Sequence, residues 1–196
     1  MNTNSELGLV LTHGAGSNAD APLLVAVGAA FEKAGYRVVR HTLYFRTVRG
    51  KGPPHPKNAP MDQAGLLEAV LDLQRDGCKK VFLGGHSYGG RQASLVASTH
   101  PGLAAGLLLL SYPLHPPEKP DQLRTAHFPA LRTPSIFFHG AKDAFGTEQE
   151  MKDALELMPA RTELVMVPGE GHDLSKAKTA FAAMCLERFL QFTSAP

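Results

Sequence analysis

Short apolar runs alternate with longer amphipathic segments from one end of the chain to the other. Five intervening segments carry apolar residues at helical spacing, near Ala21 to Lys33, Asp62 to Arg75, Arg91 to Thr99, Glu148 to Leu157 and Ser175 to Phe192. Six apolar runs have the length of buried strands: Gly8 to Thr12, Tyr36 to Leu43, Lys80 to Gly84, Ala105 to Ser111, Ser135 to His139 and Glu163 to Val167. Such alternation is typical of a mostly parallel sheet with helices on both faces. The pattern therefore predicts an α/β fold with a six-stranded sheet.

Length and charge narrow the class further. The 196 residues predict one domain over positions 1–196, long enough to bury a sizeable core. Twenty basic and 18 acidic side chains give a net charge of only +2, so nothing points to a nucleic-acid or membrane partner. The polar start and the short apolar stretch Leu7 to Leu11 do not resemble a signal peptide, which predicts a cytoplasmic protein. Cys78 and Cys185 lack a C-x-x-C partner and are predicted to be reduced thiols.

Two connections are long and rich in proline, Arg46 to Pro60 and Tyr112 to Pro134. Both follow the carboxyl end of a predicted strand. Ligands of open parallel sheets bind at that edge, so these loops are expected to wall a pocket. The alternative is that they are stiff connectors without substrate contact.

A serine lies at the most specific motif of the chain. Ser87 stands in Gly85-His86-Ser87-Tyr88-Gly89, which follows a strand and runs into a predicted helix. This G-x-S-x-G pattern is typical of a nucleophile elbow, whose tight turn requires small flanking residues and holds the serine in a strained backbone conformation. The alternative, a plain helix N-cap, does not account for the full context of strand, turn and helix.

A base and an acid follow Ser87 in chain order. A serine hydroxyl needs a base to accept its proton and a third group to orient that base. His172, in a glycine-rich loop after the last strand, is predicted to be the base, and Asp143, just past a strand, the acid. Asp173 and Glu170 are alternative acids, but they adjoin His172 and do not directly follow a strand. His86 is expected to be a packing or pocket residue.

Backbone N–H groups are expected to form an oxyanion hole. The first strand ends in His13-Gly14-Ala15-Gly16, so we predict donors at Ala15 and Tyr88, with Gly14 as the alternative to Ala15. Triad and oxyanion hole together supply the whole mechanism, so no cofactor is predicted. No His, Asp or Glu cluster has the spacing of metal ligands, and no metal is predicted either.

The loops give one indication of the substrate. The first loop holds Arg46 within a cationic stretch that contains no acid, so either it is a solvated face or it favours esters with an anionic group. We predict substrate contacts from Arg46 in the first loop and His115 in the second. Arg91, one helical turn after Ser87, is predicted to make a structural salt link.

These motifs resemble the α/β-hydrolase superfamily over nearly the whole chain, from Gly8 to Phe192. The runs Ser111-Tyr112-Pro113-Leu114-His115-Pro116-Pro117 and His139-Gly140-x-x-Asp143-x-Phe145-Gly146 are similar to the small dienelactone-hydrolase-like branch that includes testis-expressed hydrolase-like proteins. The resemblance implies an α/β-hydrolase fold without a cap domain, with Ser87 as nucleophile, Asp143 as acid and His172 as base.

The chain also departs from the superfamily. The first two of its usual eight strands are missing, which implies a sheet edge that is bare or covered by a partner or by the N-terminal residues. Dienelactone hydrolases proper have a cysteine nucleophile where this chain has Ser87.

Two functions are compatible with these features. The first is a serine hydrolase that cleaves small esters, neutral or anionic, through an acyl-enzyme. The second is a non-catalytic interaction or scaffold protein that keeps the hydrolase fold. The expected partner of the first is a small-molecule substrate, and the protein is expected to be a monomer or a homodimer.

Overall fold

Six parallel strands form one sheet at the centre of the protein. The structure is a computed structural model that describes residues 5–174 and 178–194. The strands are β1 (Leu7–Thr12), β2 (Arg37–His41), β3 (Lys80–His86), β4 (Leu107–Leu110), β5 (Ser135–Gly140) and β6 (Thr162–Val167). Their order is β2-β1-β3-β4-β5-β6, and every neighbouring pair is parallel. The predicted α/β fold is thus confirmed, with a sheet that is parallel throughout.

Helices occupy the connections between the strands. They are α1 (Pro22–Lys33), α2 (Tyr44–Val48), α3 (Ala59–Arg75), α4 (Tyr88–Thr99), α5 (Glu148–Leu155) and α6 (Lys178–Ser194). Short 3-10 turns lie at Pro56–Asn58 and Phe128–Ala130. Of the helices described, none is long and apolar enough to cross a membrane.

Each face of the sheet buries its own core. Successive side chains of a strand point to opposite faces, so in β3 Leu83 packs into one core and Phe82 into the other. The first core lies under α3, α4 and α5, and the second under α1 and α6. Because both faces are covered, the strands read as continuous apolar runs in the sequence.

The strand order changes direction between β1 and β3. From β1 the chain forms β2 on one side and then crosses to β3 on the other. The loops that leave the carboxyl ends of β1 and β3 diverge at this point, which creates the crevice where open α/β sheets bind ligands. The oxyanion loop, defined here as His13 to Gly16, and Ser87 both lie there.

The structure differs from the sequence prediction mainly in the first proline-rich connection. Residues from Arg46 to Pro60 were expected to be loop, but α2 ends at Val48 and α3 begins at Ala59. Pro60 fits the first turn of α3 because the N–H that proline lacks has no partner inside the helix there. Residues 175–177, the start of the predicted last helix, lie outside the described part of the chain.

The sheet edge next to β1 is covered by β2, which is itself an edge strand. The predicted bare edge therefore falls on β2, whose side chains are mostly half-buried. Residues 1–4, which were one candidate to cover that edge, lie outside the described residues.

Phe189 of α6 is predicted to stabilise the second core strongly. Its fully buried ring packs edge-to-face against Phe31 and Phe82, with centroids 5.1 and 4.9 Å away. Phe189→Ala should lower the free energy of unfolding by about 3–5 kcal/mol, measured by urea denaturation, because it leaves a cavity. Leu190→Ala is the control, since Leu190 is 37% exposed and should change it by less than about 1 kcal/mol. Equal effects of the two substitutions would contradict this packing.

Candidate active site

Ser87 sits in a strained turn between β3 and α4. Its φ of 51° and ψ of −121° lie in a region that residues with a side chain rarely adopt, at a cost on the order of 1–3 kcal/mol. Gly89 makes the turn possible, because a Cβ atom there would lie only 2.5 Å from the carbonyl oxygen of His13. The turn therefore presses the start of α4 against the oxyanion loop and leaves the hydroxyl of Ser87 at the sheet edge.

The structure brings Ser87, His172 and Asp143 together. His172 Nε2 lies 2.7 Å from Ser87 Oγ, and its Nδ1 lies 2.8 and 3.0 Å from the two carboxylate oxygens of Asp143. With Nδ1–H donated to Asp143, Nε2 is the acceptor for the proton of the serine hydroxyl. This is the arrangement that allows an imidazole to act as a base toward a hydroxyl.

Asp143 is held as a buried carboxylate. Burial alone would raise its pKa, but the hydrogen bond and charge of His172, the N–H of Phe145 and the nearby His139 together bring that pKa below its ordinary value. The N–H of Phe145 donates to Oδ1 at 2.9 Å. The neighbouring His139 donates from Nε2 to the carbonyl of Gly146 at 2.7 Å, a structural hydrogen bond of the kind expected at this strand end.

Two aromatic neighbours fix the position of His172. The ring of Phe145 stacks on the imidazole with centroids 4.1 Å apart and an angle of 30°. On the other side, His86 Nε2 donates to the main-chain carbonyl of His172 at 2.8 Å. Burial lowers the pKa of His86, which keeps it neutral and suited to this single bond. His86 thus supports the His172 loop rather than acting as a second base.

The alternative acids take no part in this arrangement. The hydrogen bonds of the His172 ring go to Asp143 and Ser87, and Asp173 is exposed. The backbone just before Asp143 runs very close to the loop that carries His172, since a Cβ atom on Gly140 would lie 2.4 Å from the carbonyl oxygen of Gly171. This contact brings Asp143, and not the other acids, to the His172 ring. Among the residues described, no group of three or more His, Cys, Asp or Glu side chains could hold a metal ion.

The oxyanion loop lies directly beside Ser87. A Cβ atom on Gly14 would be 3.3 Å from Ser87 Cβ, so the loop approaches the serine at van der Waals distance. His13 fixes the loop, because its Nδ1 donates to the carbonyl of Gly14 at 2.9 Å and its Nε2 accepts from the N–H of Leu43 at 3.1 Å. Within the described part of the chain, the N–H groups of Ala15 and Tyr88 donate to no acceptor.

A buried carboxylate that the sequence analysis did not single out anchors the elbow helix. Asp62 of α3 accepts from the hydroxyl of Tyr88 at 2.7 Å and from the N–H of Phe45 at 2.9 Å. Burial and this hydrogen bond raise the pKa of Tyr88. The only signal in the sequence was an acidic residue on the apolar face of a predicted helix.

The guanidinium of Arg46, for which a substrate contact is predicted, is largely occupied within the protein. The guanidinium donates to four main-chain carbonyls: that of Ala15 in the oxyanion loop, that of Ser17 just after it, and those of Arg49 and Gly52 after α2. Four of its five N–H donors are therefore used within the protein. Arg46 thus links the oxyanion loop to the residues that follow α2. This role could not be predicted from a local sequence pattern, because the carbonyls of the oxyanion loop are distant from Arg46 in sequence.

The structure likewise gives His115 a structural environment. The side chain is buried, Nδ1 lies 2.8 Å from the carbonyl oxygen of Pro116, and Nε2 lies 3.4 Å from Glu150. Both ring nitrogens thus have partners in the protein, and the predicted substrate contact of His115 stays a prediction. His115 attaches the second proline-rich loop to the first turn of α5.

The salt link predicted for Arg91 is absent. No carboxylate in the described residues lies within ion-pair distance of its guanidinium, and its buried Nε has no hydrogen-bond partner there. The second loop, which packs against α4, offers arginine and histidine side chains near Arg91 instead of acids.

A small cavity opens beside the histidines of the site. It has a volume of about 190 Å³ and is lined mainly by the apolar start of α1, together with Ser17, His86 and Asp173. Since His86 adjoins Ser87 and Asp173 adjoins His172, the cavity borders the candidate active site. Its size suits a group of a few heavy atoms.

The fold and this site define a class of protein, and a comparison with known families agrees. A family model described as an alpha/beta hydrolase domain matches residues 5–185. The chain therefore belongs to the alpha/beta hydrolase domain family, and the predicted superfamily is confirmed.

Solved structures resemble the chain over nearly its full length. A dienelactone hydrolase from Anabaena variabilis is 21% identical, with a TM-score of 0.76, over 96% of this chain and 87% of that one. Est1E from Butyrivibrio proteoclasticus, solved with bound ferulic acid, is 17% identical, with a TM-score of 0.77 and coverage of 98% and 92%. An alpha-beta serine hydrolase homologue from Coxiella burnetii is 16% identical, with a TM-score of 0.75 and coverage of 94% and 85%. At these identities the likeness is one of fold.

The buried Asp143 should make stability depend on pH. Because its pKa is lower in the folded protein than in the unfolded chain, its stabilising contribution is complete above the ordinary aspartate range, about pH 4, and is lost as the pH falls toward the folded-state pKa. Asp143→Asn should therefore flatten the fall in the free energy of unfolding that wild type shows as the pH drops below about 4, measured by urea denaturation.

Asp153→Asn provides the matched control, because Asp153 is exposed on α5 and should leave the pH dependence of wild type nearly unchanged. An Asp143→Asn variant with the same pH dependence as wild type would contradict the lowered pKa.

Proposed function

We propose that this protein is a serine hydrolase that cleaves small carboxylic esters through an acyl-enzyme on Ser87. The observation that carries the proposal is the continuous hydrogen-bonded chain from Ser87 Oγ through both nitrogens of His172 to the buried carboxylate of Asp143. The strained elbow and the family membership support it. An ester is the default substrate because its leaving group demands less of the site than an amine does.

Acylation begins when Ser87 Oγ attacks the carbonyl carbon of the ester. The hydroxyl proton moves to His172 Nε2, and the imidazolium that forms is stabilised by the carboxylate of Asp143. The carbonyl oxygen becomes an oxyanion, for which the free N–H groups of Ala15 and Tyr88 are the proposed donors. When the C–O bond breaks, the leaving alcohol takes the proton from Nε2 and the acyl group remains on Ser87.

Deacylation repeats these steps with water. His172 Nε2 accepts a proton from a water molecule, whose oxygen attacks the acyl carbon. Collapse of the second oxyanion breaks the bond to Ser87 Oγ, which recovers its proton from His172. The products are the alcohol and the carboxylic acid, and no cofactor takes part in these steps.

The position of His172 assigns the two sides of the site. The leaving oxygen must lie near His172 Nε2 to receive its proton, so the alcohol part of the ester belongs on the side of His172. The cavity lined by His86 and Asp173 borders that side and would hold a small alcohol group. The acyl part then extends in the other direction, toward α4 and the second proline-rich loop.

Labelling with a fluorophosphonate tests this proposal. A fluorophosphonate forms a covalent bond only with an activated serine, so wild type should gain one adduct by intact mass, and Ser87→Ala and His172→Ala should gain none. Both substitutions should lower kcat for a small ester by at least about 10³-fold. Ser98→Ala, which removes a hydroxyl that bonds only within α4, should label like wild type.

A folded wild type that neither labels nor hydrolyses esters would refute the hydrolase. That outcome would favour the alternative, a non-catalytic interaction or scaffold protein with the same fold.

A further inference from the structure

Arg91 lies on the same face of α4 as Ser87. Its main-chain N–H donates to the carbonyl of Ser87 at 3.0 Å, which places the two residues one helical turn apart. Side chains in a helix lean toward its N-terminus, so the side chain of Arg91 extends toward the sheet edge that carries Ser87. Arg91 therefore lies on the side of the proposed active site that would hold the acyl group.

The charge of Arg91 is not balanced within the described residues. The side chain is half-buried, it forms no ion pair, and the Nε atom is fully buried without a hydrogen-bond partner. Buried arginine donors normally have an acceptor, because removing an N–H group from water without replacing its hydrogen bond is costly. The Nε atom itself is closed to solvent, but the side chain as a whole is partly exposed and its terminal nitrogens have no partner among the described residues, so these nitrogens can meet an acceptor from outside the chain.

A second cation, in the proline-rich loop, lies close enough to Arg91 for the two charges to interact. Arg124 is half-buried and uses one nitrogen on the carbonyl of Pro113 at 3.2 Å, while its own main-chain carbonyl accepts from the hydroxyl of Tyr112 at 2.7 Å. These bonds fix Arg124 within the loop, and a hydrogen bond between His127 and Ser94 attaches the loop to α4. Burial lowers the pKa of Arg124, and the positive charge of Arg91 lowers it further.

The charge of Arg91 also acts on Tyr88, Tyr112 and His127, none of which is negatively charged. His127 is bonded through Nε2 to Ser94 Oγ at 2.8 Å, and burial and the charge of Arg91 lower its pKa to about 4. It is therefore neutral at physiological pH. No Asp or Glu contributes to the pKa shift of either Arg124 or His127. Two cations that repel each other without a carboxylate between them form a place where an anion would be stabilised.

We propose that Arg91 and Arg124 form a subsite for an anionic group, a carboxylate or a phosphate, on the acyl part of the ester that Ser87 cleaves. The inference rests on the proposed function for the identity of the substrate. It moves the preference for anionic esters from Arg46, whose donors are occupied, to a pair of arginines beside the nucleophile. Planar guanidinium groups suit either oxyanion, so the chemistry of the anion is left to the experiment.

Two esters of matched length test the subsite. Monoethyl succinate carries a carboxylate where ethyl levulinate carries a neutral methyl ketone, and the released ethanol is measured for both. In wild type, kcat/KM for the succinate should exceed that for the levulinate by at least about tenfold. Arg91→Gln should reduce this ratio by at least about tenfold, mainly through a higher KM. Arg91→Lys, which keeps the charge, should retain part of the ratio.

Arg132→Gln is the matched control. Arg132 is an exposed arginine of the same proline-rich loop, and its removal should leave the ratio at the wild-type value. Ethyl 3-phosphonopropanoate replaces the carboxylate by a phosphonate, so a higher kcat/KM than for the succinate would assign the subsite to phosphate-like groups. Equal rates for the succinate and levulinate esters in wild type would overturn the proposal.

Binding without turnover separates this proposal from the proposed function. Monoethyl succinate should bind to Ser87→Ala, measured by isothermal titration calorimetry, at least about tenfold more tightly than to Ser87→Ala with Arg91→Gln. Equal binding would overturn the subsite even if wild type labels with a fluorophosphonate. Selective binding by a protein that does not label would retain the subsite and refute the hydrolase.

Discussion

Close main-chain contact between loops at the carboxyl edge of the sheet determines the rest of this structure. Parallel strands deliver Ser87, Asp143 and His172 to the same edge, but their side chains meet only because neighbouring backbones nearly touch. At Gly89 a Cβ atom would lie 2.5 Å from His13 O, and at Gly140 one would lie 2.4 Å from Gly171 O. A side chain at either position would force these loops apart. The hydrogen bonds that join His172 to Asp143 at 2.8 Å and to Ser87 at 2.7 Å depend on these contacts.

The environment on the two sides of Ser87 is unequal. Toward α1 the surface is mainly apolar and holds a small cavity, and His86 there donates a hydrogen bond to the main-chain carbonyl of His172. Toward the second proline-rich loop, Arg91 and Arg124 lie close enough for their charges to interact, and no carboxylate contributes to the pKa of Arg124. In the proposed mechanism the alcohol leaves on the side of His172, which receives the leaving oxygen, so the acyl group would lie toward the two arginines. The proposed reaction and the proposed preference for anionic esters thus depend on opposite sides of Ser87.

Much of the fold could be predicted from sequence because its signals are local. Strands buried on both faces appear as apolar runs, and the elbow appears as glycines around Ser87, so the six strands and the positions of Ser87, Asp143 and His172 at strand ends could be predicted. Partners brought together from distant positions could not. The guanidinium of Arg46 donates to four carbonyls of two loops, and the charge of Arg91 interacts with that of Arg124 rather than with an acid. The oligomeric state and the cellular location stay predictions.

The central claim is that His172 and Asp143 activate Ser87 as a nucleophile. Trapping the intermediate tests it most directly: the protein is mixed with 4-nitrophenyl acetate, quenched in acid within one turnover, digested and analysed by mass spectrometry. The account predicts one acetyl group, located on the peptide that contains Ser87 and absent from His172→Ala. Release of 4-nitrophenol without an acetylated Ser87, or with the acetyl group on another residue, would contradict it.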